Sequence, residues 1–291
     1  MILVVGATGN LGSIVTQRLL AQGQAVRILA RSQSNYRPLA DAGAQVVLGD
    51  LKERASLETV CEGIDIVITT ASAGQRGGED TVQTVDWEGN RNLIDVAKKA
   101  GVRQFIYISV AFADATSPVP IWQAKGRTED YLRASGLAYT IIAPNGFMEV
   151  FISLVVGMPA LMSQPVTIVG EGRRKHAFVS MSDVAAFILA SIDNPAAFNQ
   201  KLIIGGPEPL SFRDAVAVYE RVLGHPIVLR SVAPGEPIAG MPEVVPPLLA
   251  GLDTFDSTIE TSETARTFGV QLTPLEEVAR QTAGREASTS S

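Results

Sequence analysis

The first twelve residues, MILVVGATGNLG, constrain the fold more than any other part of the chain. Four consecutive apolar residues, from Ile2 to Val5, are typical of a strand buried inside a parallel sheet. A glycine turn follows directly, and the apolar spacing after it predicts a helix over residues 10–22. A strand, a glycine turn and a helix in this order are typical of a dinucleotide-binding fold.

The three glycines of this turn have separate structural reasons. Gly6 permits the tight turn, Gly9 lets the backbone approach a pyrophosphate, and Gly12 lets the helix pack closely on the strand. The N–H groups and the partial positive charge at the helix N-terminus attract phosphates. We therefore predict a phosphate cradle formed by Gly6, Thr8, Gly9, Asn10, Leu11 and Gly12.

Strands and helices alternate through the first half of the chain, which predicts an α/β fold with a doubly wound parallel Rossmann sheet and a smaller C-terminal substrate lobe. The predicted strands lie near residues 2–5, 25–30, 45–48, 65–69, 104–109 and 138–143. The predicted helices lie near residues 10–22, 54–61, 80–100 and 122–135.

The regular alternation of strands and helices ends after Pro144, and this change sets the predicted domain limits. Residues 1–152 are predicted to form the Rossmann core, and residues 177–206 to return to it through a strand at 201–204. The predicted smaller lobe on the substrate side takes residues 153–176 and 207–283, and residues 284–291 are predicted to form a disordered tail.

Charge and composition limit the partners. A net charge of −6 argues against nucleic acid, because phosphate backbones bind basic surfaces. The single cysteine, Cys61, fits a reducing compartment, and two histidines do not favour a transition-metal site. Prolines and polar residues interrupt the apolar stretch 141–162, so no membrane span is expected. Because a strand begins at Ile2, we expect no signal peptide and a cytoplasmic protein. The expected oligomeric state is a monomer or a homodimer.

The end of the second predicted strand distinguishes the two nicotinamide dinucleotides. An acidic residue there binds the ribose 2′-hydroxyl of NAD(H), whereas an arginine pairs with the 2′-phosphate of NADP(H). Here Arg31 and Ser32 end the strand, and no acidic residue occurs before Asp41. We predict NADP(H) in preference to NAD(H), with Arg37 as a second candidate contact for the phosphate.

Further cofactor contacts are expected at the carboxyl ends of later strands, where open parallel sheets bind ligands. Asp50 is expected to accept a hydrogen bond from the adenine amine. The other predicted contacts are Leu51, Thr70, Ala71, Ser72, Ser109, Lys125, Pro144, Asn145, Gly146 and Phe147.

Several motifs together resemble the NmrA-like group of atypical short-chain dehydrogenases/reductases. This group includes isoflavone reductase-like enzymes, triphenylmethane reductase, a quinone oxidoreductase and a regulator that senses NADP. The resemblance spans residues 2 to about 220 and thins after 230. It is carried by GATGNLG at 6–12, ARS at 30–32, GDL at 49–51, DxxGNxNLI at 86–94, YIS at 107–109, Lys125, PNGF at 144–147 and FVSMSDV at 178–184.

The resemblance also implies where hydride transfer takes place. Similar reductases set a serine after the fifth strand and a Tyr-x-x-x-Lys pair against the nicotinamide, with the tyrosine as proton donor. Ser109 and Lys125 match this pattern, but Ile121 stands at the tyrosine position. Because isoleucine has no proton to donate, the usual mechanism of carbonyl reduction is absent.

Three interpretations stay open at this point. In the first, Lys125 is the acid/base, alone or through water, and Ser109 orients the substrate. In the second, acceptors such as quinones and cationic dyes take hydride with little need of a protein acid. In the third, no chemistry occurs and Lys125 only binds ribose hydroxyls. The sequence favours an NADPH-dependent reductase of a small hydrophobic quinone, enone, imine or aromatic compound. The alternative is a non-catalytic redox sensor, regulator or assembly factor that binds NADP(H).

The predicted substrate pocket is apolar and aromatic, which suits a hydrophobic acceptor. It comprises Ala73, Phe112, Ile121, Trp122, Phe147, Met148 and Phe151. The glycine-rich segment 73–78 is predicted to form a flexible lid over it.

Overall fold

The computed structural model describes residues 1–74, 78–238, 241 and 245–289, with side chains described up to Gly284. Seven strands form one sheet in the order β3-β2-β1-β4-β5-β6-β8, and β7 pairs in parallel with β9 in a small second sheet. The strands are β1 (Ile2–Val5), β2 (Val26–Ala30), β3 (Gln45–Leu48), β4 (Ile66–Thr69), β5 (Gln104–Ile108), β6 (Tyr139–Pro144), β7 (Val166–Val169), β8 (Gln200–Ile204) and β9 (Leu229–Val232).

Helices connect these strands. They are α1 (Asn10–Ala21), α2 (Arg37–Asp41), α3 (Arg54–Cys61), α4 (Asn90–Lys99), α5 (Pro120–Ala134), α6 (Met158–Leu161), α7 (Met181–Ala190), α8 (Phe212–Leu223), α9 (Val245–Leu252), α10 (Ser262–Phe268) and α11 (Leu275–Thr289). Two segments, Val82–Gly89 and Met148–Gly157, have the wider turns of a π-helix, and Pro195–Ala197 forms a 3₁₀ turn. The predicted α/β fold with a parallel Rossmann sheet is confirmed.

Strand β1 is an inner strand of the large sheet and is buried along its whole length, as its apolar sequence predicts. Its Ile2 is in register with Val26 on one side and with Ile66 on the other. The chain therefore leaves β1 toward β2 and leaves β4 in the opposite direction, toward β5. A crevice opens at such a switch point, outside the carboxyl ends of the strands.

The chain forms two compact units, each with its own apolar core. The first comprises residues 1–144, 184–203 and 267–270, and the second comprises 145–183, 204–266 and 271–291. In the first unit α3, α4 and α5 cover one face of the sheet, around Leu57, Leu93, Phe105 and Tyr107. The predicted domain limits stay a prediction, because compactness alone is no evidence that a unit folds independently.

Two local expectations are corrected by the structure. The single helix predicted over residues 80–100 is a π-helical segment followed by α4, a difference that apolar spacing does not encode. The predicted disordered tail is helical up to Thr289, since the segment after Gly284 contains the good helix formers Arg285, Glu286 and Ala287 and no helix breaker. Residues 290–291 lie outside the described chain. Among the described helices, none is long and apolar enough to cross a membrane.

Two glycines in helices lead to a paired prediction about stability. A Cβ on Gly126 in α5 would overlap backbone atoms of Asp114 and Ala115, whereas a Cβ on Gly251 in α9 would meet nothing within 4 Å. We expect Gly126→Ala to lower the free energy of unfolding by about 1–3 kcal/mol, because the overlap forces the backbone to shift. Urea denaturation measures the change.

Gly251→Ala is the matched control for that substitution. It adds the same methyl group to a helix in open space, so we expect it to raise the free energy of unfolding by up to about 1 kcal/mol through helix propensity. Equal effects of the two substitutions would contradict the close packing of α5 against residues 114–115.

Candidate dinucleotide site

The turn between β1 and α1 has the geometry that a bound pyrophosphate needs. Gly6 has a φ of +84°, in the region that favours glycine, and a Cβ on Gly12 would overlap the carbonyl oxygen of Gly6. A Cβ on Gly9 would meet only that oxygen, at 3.3 Å. Helix α1 starts without a side-chain cap and without an acidic residue in its first turn. Its first N–H groups are therefore suited to an anion.

A cleft beside this turn collects predicted cofactor residues from four strand ends. We call it the dinucleotide cleft. The predicted residues that line it are Gly6, Thr8, Arg31, Asp50, Leu51 and Ala71, and the others are Val5, Leu29, Ser34, Gly49, Asp80 and Val85. The residues of the cleft and of the turn fit a dinucleotide, while the individual contacts stay predictions.

The predicted contacts Ser32, Arg37, Thr70 and Ser72 are among those that do not line the cleft. Ser32 and Arg37 are exposed, and Ser32 donates a hydrogen bond to the side chain of Gln33. The Thr70 hydroxyl lies 3.2 Å from the carbonyl oxygen of Gly6 and donates to it, so Thr70 supports the glycine turn. The Ser72 hydroxyl accepts a hydrogen bond from the backbone of Gly74.

Arg31 is part of a charged cluster at the edge of the cleft, which we call the Asp80 cluster. Nη1 of Arg31 lies 2.6 Å from Oδ2 of Asp80, and Nζ of Lys52 lies 2.9 Å from Oδ1 of Asp80. The hydrogen bond from Lys52, with the contribution of Arg31, lowers the pKa of Asp80 to about 2 against the opposing effect of burial. The Asp80 carboxylate is therefore ionised at neutral pH.

Sequence reasoning missed the two other members of this cluster, Lys52 and Asp80. Lys52 directly follows the Gly49–Leu51 motif, so its position in the chain was a usable signal. Asp80 has no such signal, because it is 49 residues from Arg31 and only the fold brings the two together.

The predicted catalytic lysine lies inside the protein. Lys125 is only 3% exposed, and its Nζ lies 3.1 Å from Oδ1 of Asp86 and donates to the carbonyl oxygen of Ile108 at 3.0 Å. Burial lowers the pKa of Lys125, but Tyr107 and Asp86 outweigh it and raise that pKa above its usual value. The lysine is therefore an ammonium group at neutral pH, and its role as an acid/base stays a prediction.

Asp86 connects this lysine to the segment after β4 and makes a second contact with α5. Its Oδ2 accepts a hydrogen bond from the backbone of Ala73 at 2.9 Å, just after β4. Its carbonyl oxygen accepts a hydrogen bond from the Thr128 hydroxyl of α5 at 2.8 Å. Because Asp86 is fully buried in the π-helical segment, its carboxylate is the counter-charge that makes the burial of Lys125 tolerable.

The second predicted catalytic residue is also engaged by the protein. Ser109 is buried and donates its hydroxyl proton to Oε1 of Glu129 in α5 at 2.5 Å. The other oxygen of Glu129 lies 2.8 Å from both Arg133 and Lys201. Ile121, at the position of the usual tyrosine, is half-buried at the start of α5. Among Ser109, Glu129 and Ile121, no side chain is an obvious proton donor to a ligand.

The predicted contacts after β6 hold the backbone of each unit in place. The carbonyl oxygen of Pro144 accepts a hydrogen bond from Ala111 at 2.9 Å. In the second unit the Asn145 amide donates to the Ser257 hydroxyl at 3.0 Å, and the carbonyl oxygen of Gly146 accepts from Val179. Their contacts with a cofactor stay predictions.

The predicted substrate residues are distributed over both units. In the first, Phe112 and Trp122 contact each other with ring centroids 5.6 Å apart, and Ala73 is buried. In the second, Met148 is fully buried in the core, Phe151 packs on Phe178, and Phe147 forms a β-bridge with Val179. The pocket itself stays a prediction, and residues 75–77 of the predicted lid lie outside the described chain.

Comparisons with known proteins agree on one family. Residues 1–273 match the sequence model of the NmrA-like family. The photosystem II assembly factor Ycf39 of Synechocystis sp. is 32% identical over 224 residues, which are 77% of this chain and 68% of that protein. An NAD(P)H azoreductase of Xenophilus azovorans is 30% identical over 286 residues, which are 92% of this chain and 95% of that protein.

A solved structure extends the likeness in fold to almost the whole chain. The triphenylmethane reductase of Citrobacter sp., crystallised with NADP(H), is 24% identical and superposes with a TM-score of 0.81. The superposition covers 97% of this chain and 99% of the reductase. At this identity the likeness concerns the fold.

The buried pair of Lys125 and Asp86 generates a testable prediction about stability. We expect Lys125→Met to lower the free energy of unfolding by about 3–5 kcal/mol, because it leaves a buried carboxylate without its counter-charge. The double variant, Lys125→Met with Asp86→Leu, is expected to lose less free energy of unfolding than the two single variants lose in sum. Urea denaturation of all three variants measures the coupling.

Lys99→Met is the matched control for this cycle. Lys99 pairs with Glu58 on the surface, and its side chain is 75% exposed, so we expect a change within about 0.5 kcal/mol. If Lys125→Met were as mild as Lys99→Met, the buried pair would not stabilise the fold.

Proposed function

Because this chain belongs to the NmrA-like family, we propose that it is an NAD(P)H-dependent reductase of small hydrophobic acceptors that need no proton from a protein side chain. Quinones and cationic or azo dyes are such acceptors. One observation carries the proposal: Lys125 is held by Asp86 and Ser109 by Glu129, so the groups that resemble a catalytic pair are engaged inside the protein.

The residues of the dinucleotide cleft have defined tasks in this proposal. The glycine turn and the N-terminus of α1 bind the pyrophosphate, and Asp50 accepts a hydrogen bond from the adenine amine. Arg31 pairs with a 2′-phosphate, which makes NADP(H) the proposed cofactor in preference to NAD(H). When bound, the dinucleotide supplies the hydride.

Proton supply decides which acceptors suit this chain. A ketone must gain a proton on its oxygen as hydride reaches its carbon, and enzymes usually provide an acidic side chain for this step. Ile121 has no such proton, and the raised pKa of Lys125 keeps its proton on the ammonium group. Quinones and cationic dyes take hydride into a delocalised system, so water is sufficient to complete their protonation.

Two relatives support a reductase over the full chain length. The azoreductase matches 92% of this chain, and the triphenylmethane reductase structure covers 97% of it. We further propose that the protein acts in the cytoplasm, as a monomer or homodimer, with a small molecule and not a nucleic acid as its partner. The net charge of −6 supports the latter point.

A second candidate function has its own support. The chain is 32% identical to an assembly factor, Ycf39, and a lysine locked by a buried carboxylate is equally compatible with dinucleotide binding without turnover. In this alternative the protein senses NADP(H) or assists an assembly step, and its cleft binds the dinucleotide without reducing anything.

Turnover of NADPH distinguishes the two functions. We expect the protein to oxidise NADPH with a quinone, an azo dye and a triphenylmethane dye, faster than with an enone or imine, and not with a simple ketone. Loss of NADPH absorbance measures the rate for each acceptor. NADPH binding by calorimetry without turnover of any acceptor would rule out the reductase and support the sensor.

Gly9→Val is the control for uncatalysed dye chemistry. Gly9 has extended backbone angles that valine tolerates, but the added branched side chain blocks the approach of a pyrophosphate. We expect this variant to stay folded, with NADPH binding and turnover both lost. Its folding is checked by thermal melting.

The pH profile tests the absence of a side-chain acid. Because the pKa of Lys125 is raised above its usual value, the lysine keeps one charge state over the whole neutral range. We expect kcat/KM for a quinone to stay flat between about pH 6 and pH 9, below the usual lysine pKa. A fall with a midpoint near neutral pH would show that a titrating group takes part.

A further inference from the structure

We propose that Asp80 sets the selectivity of the dinucleotide cleft between NADP(H) and NAD(H), by occupying Arg31 and Lys52 as an internal substitute for the 2′-phosphate. The inference rests on the proposed function, because it takes the cleft to bind a dinucleotide. It concerns a residue outside the motifs that resemble the family, contributed by the segment between β4 and the π-helical segment.

Three separate segments contribute to the Asp80 cluster. Arg31 follows β2, Lys52 follows β3, and Asp80 follows β4. Each carboxylate oxygen of Asp80 has its own cation, with Oδ2 at 2.6 Å from Arg31 and Oδ1 at 2.9 Å from Lys52. Asp80 is thus a bridge between two positive charges at the wall of the cleft.

Burial is unevenly distributed in this cluster. The Asp80 side chain is 8% exposed, whereas the side chains of Arg31 and Lys52 are 30% and 27% exposed. Both cations are therefore in contact with solvent while they hold the carboxylate. A ligand anion that enters the cleft meets the cations from the solvent side and competes with Asp80 for them.

The positive charges of the cluster are already countered without any ligand. Arg31 and Lys52 supply two positive charges, and negative charges come from Asp80, from Asp50 at 3.9 Å from Lys52, and from the nearby Glu79. A 2′-phosphate adds a charge of about −1.5 to −2 and needs charge-assisted hydrogen-bond donors. The donors at this place, Arg31 and Lys52, already bind Asp80. NADP(H) can therefore bind only if Arg31 and Lys52 give up their ion pairs with Asp80.

NAD(H) meets no such competition. Its 2′-hydroxyl is neutral and both donates and accepts hydrogen bonds, so it needs no free cation. The Asp80 cluster remains intact when NAD(H) binds. Asp80 therefore weakens NADP(H) binding selectively. Arg31 by itself suggests a site strict for NADP(H), but with Asp80 beside it the site also accepts NAD(H).

Removing the charge of Asp80 tests this role. Asp80→Asn keeps the shape of the side chain and leaves the two cations unbalanced. We expect the affinity for NADPH to rise at least about tenfold, the size of one charge-assisted hydrogen bond, and the affinity for NADH to change less than about threefold. Calorimetric titration of both dinucleotides into the full chain measures the ratio.

Two further variants make the result specific. Asp193→Asn removes a carboxylate that pairs with Arg103 outside the cleft, and we expect no change in either affinity. Arg31→Ala in the Asp80→Asn background is expected to abolish the gain for NADPH. Thermal melting confirms that each variant is folded.

The outcomes separate this inference from the proposed function. If Asp80→Asn leaves NADPH affinity unchanged, lowers it, or raises both affinities equally, the selectivity role of Asp80 is overturned while dinucleotide binding stands. If the unaltered protein binds neither dinucleotide, the proposed function fails and this inference fails with it. A selective gain for NADPH that depends on Arg31 supports both.

Discussion

The structure around the cleft depends on one buried ion pair, between Lys125 and Asp86. It joins α5 to the π-helical segment, and its two members also hold the carbonyl oxygen of Ile108 in β5 and the backbone of Ala73 after β4. A buried ammonium group without a counter-charge is strongly destabilising, so neither member is dispensable on its own. The pair fixes the segments that contribute Ala71 and Val85 to the cleft.

The same pair limits what the chain does chemically. Lys125 has its charge satisfied inside the protein by Asp86, and the Ser109 hydroxyl likewise donates its hydrogen bond to Glu129. The described residues therefore offer a glycine turn and a cleft that fit a dinucleotide but no evident side-chain acid. This combination underlies the proposal that acceptors protonated by water suit the site.

A second set of charges, at the Asp80 cluster, differs from the first in one physical respect. Lys125 and Asp86 are both removed from solvent, so their pairing is insensitive to ligands and salt, whereas Arg31 and Lys52 keep contact with water. Exchange of one anion for another is feasible only in the second set. The fold thus combines a permanent charge pair in its interior with an exchangeable one at the edge of the cleft.

Local sequence patterns were sufficient to predict those parts of the fold that depend on residues close together in the chain. The β1 strand, the turn at Gly6 and the start of α1 follow from apolar runs and from the steric freedom of glycine, and the sheet follows from the alternation of elements. The π-helical turns at Val82–Gly89 escaped prediction, since their apolar spacing also fits an ordinary helix.

The partners of the charged side chains depended on the fold. The chain alone marked Arg31 as a phosphate contact and Lys125 as a catalytic group, because their types and positions match known sites. Folding gave each a carboxylate far away in sequence, Asp80 for Arg31 and Asp86 for Lys125. The reason is physical: a motif specifies the backbone that carries a charge, but the state of that charge depends on burial and on the nearest counter-charge, which residues distant in the chain supply.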